Sequence, residues 1–261
     1  MSRTASSFLT ANWRDLVMIN YEIDPSLIAL LVPAGTELDA WGGRTLVSMV
    51  GFRFLDTRVL GVPVPFHRDF EEVNLRFYVR RHAPDGIRRG VVFVREIVPK
   101  AAIAWVARTV YNENYVAWPM RHQTQLPQAA NDVDDGRGPD SAAGNPRARG
   151  FAVYGWRFAG RWHELGASVE GTPRLPATGS EEEFITEHYW GYARQRDGST
   201  VEYQVEHPQW RVWRATEARF TCDVSAVYGA AYEPFLTATP TSAFVADGSA
   251  VIVRRGVRLS R

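Results

Sequence analysis

The feature that most constrains the fold is a succession of short extended segments joined by tight turns. Residues 73–80 and 90–97 are rich in β-branched and aromatic side chains and are separated by a short stretch containing Pro and Gly. Residues 151–158 and 161–169 flank a two-residue connection, Ala159-Gly160. Connections this short join antiparallel neighbours, so both pairs of segments predict β-hairpins.

Other extended segments strengthen the expectation of a strand-rich chain, and no regular alternation of strands and helices is present. They are residues 16–21, 41–54 (with Gly42-Gly43 as a turn), 201–205, 211–220 and 242–253. With roughly ten strands against three helices, the sequence predicts a mainly β (α+β) protein. Its antiparallel sheet is expected to curl or close around an interior, with a few peripheral helices, and such a shape can enclose a ligand cavity.

Three segments carry helix signals. Asp24 followed by Pro25 is typical of a helix start, and Pro33 ends that short segment. Residues 101–112 place apolar side chains on one stripe at helical spacing and predict a helix. Ser180 with Glu183 three residues later forms a capping box before a third, short helix.

Domain organisation follows from length and composition. The 261 residues are 45% apolar, which fits one domain over residues 1–261. Residues 123–150 contain many Asn, Asp, Gly and Pro residues and few large apolar ones, so we expect a mobile surface loop there. The sequence does not specify the oligomeric state.

Charge and hydropathy exclude several classes of protein. Thirty basic residues balance 29 acidic ones, which gives a net charge of +1 and disfavours a nucleic-acid partner. No apolar run approaches the ~20 residues that span a bilayer, so no membrane partner is expected. The first residues lack the apolar core of a secretory signal, and Cys222 is the only cysteine. These features favour a cytoplasmic protein without disulfides.

Common catalytic and cofactor motifs are absent from the sequence. There is no glycine-rich phosphate-binding loop, no GxSxG nucleophile motif and no HxH or HExxH pair among the six histidines. We therefore expect neither a metal nor an organic cofactor. The candidate partner is a small organic acid or carbonyl compound.

Four ordered motifs resemble the YqjF-like family of uncharacterised proteins. They are residues 13–25 (WRDLVMINYEIDP), 72–80 (EVNLRFYVR), 184–189 (FITEHY) and 205–210 (VEHPQW). That family is grouped with the acetoacetate decarboxylase-like superfamily. The resemblance implies an antiparallel, cone-shaped β-barrel with a central cavity, but no established activity.

The same resemblance singles out Lys100 and Glu72. Acetoacetate decarboxylases form a Schiff base on a lysine that follows a proline, and Pro99-Lys100 is similar to that site. A glutamate on an earlier strand assists them, and Glu72 is similar to it. The second lysine of those enzymes is replaced here by Ala101.

Lys100 is the only lysine in the chain, so imine chemistry at a side chain has one place to occur. A lysine with an ordinary pKa of ~10.4 is protonated at neutral pH and cannot attack a carbonyl. The dipole of the predicted helix disfavours its charge by only ~0.3–1 kcal/mol, so burial would have to supply most of the shift. The alternative is an ordinary solvated lysine at a helix start.

Strand alternation groups the remaining candidates. Glu72, Asn74 and Arg76 share one face of a strand, which either lines a wet cavity or meets bulk solvent. His207 and Trp210 either form a ligand-facing corner or pack at a strand end beside Pro208. Two functions follow: a small-molecule-binding protein whose cavity takes an organic acid or carbonyl compound, or a Schiff-base lyase or decarboxylase of a small oxo acid through Lys100.

Overall fold

The computed structural model describes residues 6–64, 66–100, 114–127 and 148–259, and strands dominate this part of the chain. The strands are β1 (Ser7–Glu22), β2 (Glu37–Leu38), β3 (Leu46–Val59), β4 (Val62–Pro63), β5 (Phe70–Ala83), β6 (Gly86–Val98), β7 (Tyr115–Ala117), β8 (Met120–Gln125), β9 (Arg149–Phe158), β10 (Arg161–Glu170), β11 (Trp190–Arg194), β12 (Thr200–Glu206), β13 (Val212–Thr221), β14 (Ser242–Arg254) and β15 (Val257–Arg258). The α-helices are α1 (Glu181–Thr186), α2 (Val224–Val227) and α3 (Glu233–Leu236). The expectation of a mainly β protein with few helices is confirmed.

Strand pairing places β12 at a junction. It pairs with β11 on one side and with β14 on the other. Strands β1, β3, β5, β6, β11, β12 and β14 therefore form a closed circuit of pairings, all antiparallel except that of β6 with β11. Strands β13, β10, β9 and β8 continue outward from β14 as an antiparallel sheet.

Both faces of the central strands are buried, against different neighbours. Alternate residues of β1, β3 and β5 belong to one buried cluster with residues of β9 and β10, which we call the apolar layer. The other alternate residues face α1 and Trp210. Because side chains of a strand alternate between its two faces, each central strand contributes to both regions. This explains why residues 46–52 are buried without interruption.

The predicted hairpins are confirmed. β5 pairs antiparallel with β6 through a turn at Ala83–Gly86, and β9 pairs with β10 around Ala159-Gly160. The predicted capping box is also present, because the Ser180 Oγ accepts from the Glu183 backbone N–H at 3.1 Å.

Other local predictions need correction. The strand expected at 16–21 begins at Ser7, because polar residues in its first half obscure the pattern. The helix expected after Asp24 is two 3₁₀ turns, Pro25–Leu27 and Ala29–Leu31. Only Ile28 of its apolar residues is buried, and Leu30 is 82% exposed, so no core face holds a longer helix together.

Two more expectations concern connections. The Gly42-Gly43 turn exists, but it joins only the single bridge Trp41–Arg44, and β3 starts afterwards. The loop expected at 123–150 is too wide, since residues 123–125 belong to β8 and 149–150 to β9. The rest of that loop from 128 to 147, like the helix predicted at 101–112, lies outside the described residues.

Helices in the described ranges are all too short or too polar to cross a membrane.

Candidate functional site

A cavity of about 250 Å³ lies against the face of β5 that is opposite the apolar layer. Its wall combines many aromatic and aliphatic side chains with a small number of polar ones, which is the usual composition of a small-molecule site. The aromatic residues lining it are Phe8, Trp13, Phe52, Phe54, Phe70, Phe93, Tyr115, Trp190, Tyr203 and Trp210.

Five of the six residues predicted from the sequence line this one cavity. They are Glu72, Asn74, Arg76, His207 and Trp210. Of the two placements open for the polar face of β5, the structure has the cavity: Glu72, Asn74 and Arg76 are all buried. β5 is paired with β3 on one side and with β6 on the other, and its polar face is kept away from bulk solvent.

Glu72 is a buried carboxylate. Its Oε1 accepts a hydrogen bond from Asn74 Nδ2 at 2.9 Å, and its Oε2 accepts one from the Tyr115 hydroxyl at 3.1 Å. Burial raises the pKa of Glu72 to about 7, although these two hydrogen bonds favour its charged form. Both protonation states are therefore populated near neutral pH, so the group can donate to or accept from a ligand.

Glu96 and Tyr115 were not predicted as site residues. Glu96 on β6 lies opposite Asn74 across the β5–β6 ladder and is buried in the cavity wall. Tyr115 lies opposite Glu96 in the parallel pairing of β6 with β7. The available sequence signal was the charged pair Arg95-Glu96 between apolar residues at the end of β6, but the cross-strand register that brings Glu96 to Asn74 is not encoded locally.

Arg76 is the cation of the cavity wall. Its Nη2 donates to the Ile185 carbonyl of α1 at 3.4 Å, and its guanidinium lies 5.7 Å from the centre of the Tyr78 ring. Its Nε is buried, and no described residue accepts a hydrogen bond from it. A guanidinium with a free N–H suits a carboxylate, which accepts from two such donors at once.

His188 is a third site residue that was not predicted from the sequence. It follows α1, lines the cavity and is buried, with Nε2 3.3 Å from the Asp39 Oδ2. The same Asp39 oxygen accepts from Arg89 Nε at 2.7 Å. His188 was part of a quoted motif, but Asp39 and Arg89 are remote in sequence, so no spacing rule would have identified the cluster.

His207 and Trp210 combine both interpretations left open by the sequence. Their rings stack with centroids 4.1 Å apart, and both line the cavity. Trp210 is anchored by its Nε1, which donates to Ser249 Oγ at 2.9 Å. Burial lowers the pKa of His207, so its ring is neutral at neutral pH.

Lys100 is placed apart from the other five residues. It is half-buried just after β6, and its Nζ donates to the Phe66 carbonyl. It does not belong to the cavity lining, whereas Val64 and His67 on either side of Phe66 do. Lys100 thus contacts the segment that borders the cavity.

Among the described residues, no group of three or more His, Cys, Asp or Glu side chains could hold a metal ion.

Comparison with known families gives one match over most of the chain. Residues 10–250 match the model of DUF2071, described as an uncharacterised conserved protein. The chain is also 37% identical over 76 residues to the uncharacterised protein YqjF of Bacillus subtilis (strain 168), which is 29% of this chain and 31% of that protein.

Solved structures with a similar fold come from the acetoacetate decarboxylase group. An acetoacetate decarboxylase-like enzyme from Sphingomonas wittichii RW1 is 12% identical, with a TM-score of 0.62 over 98% of this chain and 94% of that one. The acetoacetate decarboxylase of Legionella pneumophila is 12% identical, with a TM-score of 0.60 over 99% and 90%. The enduracididine biosynthesis enzyme MppR, complexed with pyruvate, is 13% identical, with a TM-score of 0.64 over 99% and 92%. These matches confirm the resemblance described above, and at such identities the structural ones show the fold alone.

Proposed function

The chain belongs to the DUF2071 family of uncharacterised conserved proteins, and we propose that its cavity binds a small organic acid or carbonyl compound. In this proposal the seven strands of the circuit form the wall of a cone-shaped, acetoacetate decarboxylase-like barrel, and the cavity is its interior. The observation that carries the proposal is Arg76, a buried guanidinium with an unpartnered N–H on a mainly aromatic and aliphatic wall.

Arg76 and Glu72 supply complementary contacts for such a ligand. The guanidinium binds a carboxylate, and a protonated Glu72 donates a hydrogen bond to a carbonyl oxygen. The two side chains share the β5 face, four residues apart, and Asn74 between them has a buried Oδ1 for which no described residue is a donor. The apolar wall favours a ligand whose remaining surface is aromatic or aliphatic.

The test compares an acid with its uncharged amide. Hydrocinnamate and hydrocinnamamide have the same shape but differ in charge, and calorimetry measures the affinity of each. We expect the protein to prefer the acid, and Arg76→Met to reduce the affinity for hydrocinnamate roughly 30-fold (about 2 kcal/mol), because a hydrogen bond to a charged group is lost. The affinity for the amide should stay unchanged.

Arg80→Met is the matched control, because Arg80 lies on the same strand but pairs with Glu37 near the surface. It should leave both affinities intact. Equal affinity of the native protein for acid and amide would overturn the proposal, as would an equal loss in the two arginine variants.

A second candidate function is a Schiff-base lyase acting on a small oxo acid. It is supported by the contact of Lys100 Nζ with the segment that borders the cavity, and by the structural similarity to MppR, which binds pyruvate. The amine would have to leave the Phe66 carbonyl and lose its proton before attacking a substrate carbonyl. Borohydride trapping with pyruvate, followed by peptide mass mapping, separates the two candidates, because only the lyase gives an adduct on Lys100. Lys100→Arg is the control.

A further inference from the structure

His188 lines the cavity and pairs with Asp39, and the proposed function uses neither residue. The His188 ring is buried among the Tyr78 and Phe184 rings, with centroids 4.6 and 4.9 Å away. Its Nε2 is engaged by the Asp39 carboxylate. Its Nδ1 is also buried, and no described residue forms a hydrogen bond with it.

The protonation of this pair follows from its surroundings. Burial lowers the pKa of His188 to about 4, so the ring is neutral at neutral pH. Burial opposes ionisation of Asp39, but the hydrogen bonds from His188 and Arg89 hold the pKa of Asp39 below its usual value. An ionised Asp39 can only accept, so the one ring proton is on Nε2. Nδ1 is then a lone-pair acceptor.

Arg76 lies near His188 in the lining of the cavity. The positive charge of Arg76 is near enough to disfavour protonation of His188. Ile185, whose carbonyl accepts from Arg76, belongs to the helix that ends just before His188. Both side chains also lie against the Tyr78 ring.

The Tyr78 ring is itself fixed in place. Its hydroxyl is 2.5 Å from Ser48 Oγ, which donates to Asn20 Oδ1 at 2.6 Å. Asn20 in turn donates to Ser242 Oγ at 2.8 Å. This chain of hydrogen bonds crosses β5, β3, β1 and β14, so the ring beneath Arg76 and His188 is held by four strands.

We propose that His188 Nδ1 accepts a hydrogen bond from a hydroxyl group next to the ligand carboxylate, so that the cavity selects α-hydroxy acids with an apolar tail. The carboxylate binds Arg76, and the neighbouring hydroxyl satisfies the buried nitrogen. This inference rests on the proposed function, and it adds a requirement for a hydrogen-bond donor that an unsubstituted acid cannot meet.

Phenyllactate and hydrocinnamate test this requirement, because they differ only by the hydroxyl. We expect the native protein to bind phenyllactate about tenfold more tightly, as one hydrogen bond to a buried acceptor predicts. His188→Phe keeps the ring and its aromatic contacts but removes the acceptor. It should abolish the preference, so that the two acids bind with equal affinity. His82 is a surface histidine that pairs with Glu37, so His82→Phe is the matched control. This variant should keep the preference for phenyllactate.

A second measurement needs no variant. Nitrogen NMR of the native protein should show a change at His188 Nδ1 when phenyllactate is added, and none when hydrocinnamate is added. Equal affinities for the two acids, or a preference that persists in His188→Phe, would overturn the inference and leave the proposed function standing. If neither acid binds, the proposed function and this inference both fall.

Discussion

The two faces of β5 are equally buried but chemically opposite. Val73, Leu75, Phe77 and Val79 belong to the apolar layer, a cluster of buried side chains that also includes residues of β9 and β10. Glu72, Asn74 and Arg76 alternate with these residues and face the cavity. One strand thus has one buried face that is apolar and one buried face that is polar.

The difference shows what each face contributes. Burying apolar side chains stabilises the fold by roughly 1.5–3 kcal/mol for a large residue. Burying a carboxylate costs stability, and so does burying an amide and a guanidinium that each have an unpartnered polar atom. Because only function repays that cost, we interpret the apolar face as structural and the polar face as the ligand-binding one.

The largest expected effect tests the apolar face. Phe77→Ala should lower the free energy of unfolding by about 4 kcal/mol, because it leaves a void in a fully buried layer. Chemical denaturation measures this loss. Ligand affinity of the folded protein should be unaffected, and a comparable loss of affinity would show that the two faces are not independent.

The next effect tests the polar face through pH. The pKa of Glu72 is about 7 in the folded protein and 4.5 ordinarily, so the folded state binds more protons between these values. The contribution of Glu72 to the free energy of unfolding is therefore complete below pH 4.5. It is lost as the pH rises through 7, which lowers the free energy of unfolding by on the order of 3 kcal/mol. Glu72→Gln should remove this loss and make the protein more stable at pH 8, as denaturation at several pH values would show.

Glu71→Gln is the control for that experiment. Glu71 is adjacent on β5 but pairs with His122 outside the cavity, and its substitution should preserve the decline in stability from pH 4.5 to 7. If the native protein shows no such decline, or if both variants abolish it, then Glu72 is not the group responsible.

The smallest effect sharpens the same comparison. Asn74→Leu removes the donor to Glu72 Oε1, which favours the ionised carboxylate, so the pKa of Glu72 should rise further. We expect about 1 kcal/mol less stability above pH 8 relative to the native protein, and no loss at pH 4, where Glu72 is protonated. A loss that is equal at both pH values would indicate a packing defect instead.

Sequence reasoning was strongest where the signal is local. Period-two alternation in β5, the turn before β6 and the Ser180 capping box are each contained in a few consecutive residues, and all were predicted. Alternation also grouped Glu72, Asn74 and Arg76 on one face. Alternation alone does not show whether that face lines a cavity or meets bulk solvent, because this depends on strands that are distant in the chain.

The rest of the site depends on long-range register. Glu96 reaches Asn74 only through the β5–β6 ladder, and Asp39 meets His188 across 149 positions of sequence. Lys100 shows a different limit. Its position after Pro99 predicts a catalytic lysine, but nothing in the sequence indicates its contact with the Phe66 carbonyl. Sequence spacing identifies site residues that share one strand or helix. It does not identify residues that come together from different strands or helices.

The junction at β12 has a consequence for motion. The β11–β12 hairpin has five paired positions within itself, but it joins β6 through two and β14 through two. Tyr203 and Val205 of this hairpin line the cavity. Local opening costs least where few backbone hydrogen bonds must break, so we expect this hairpin to open more readily than β1, β3 and β5. A molecule could then reach the interior while the tightly paired strands β1, β3 and β5 stay closed, and amide exchange across residues 190–206 would report the rate of that opening.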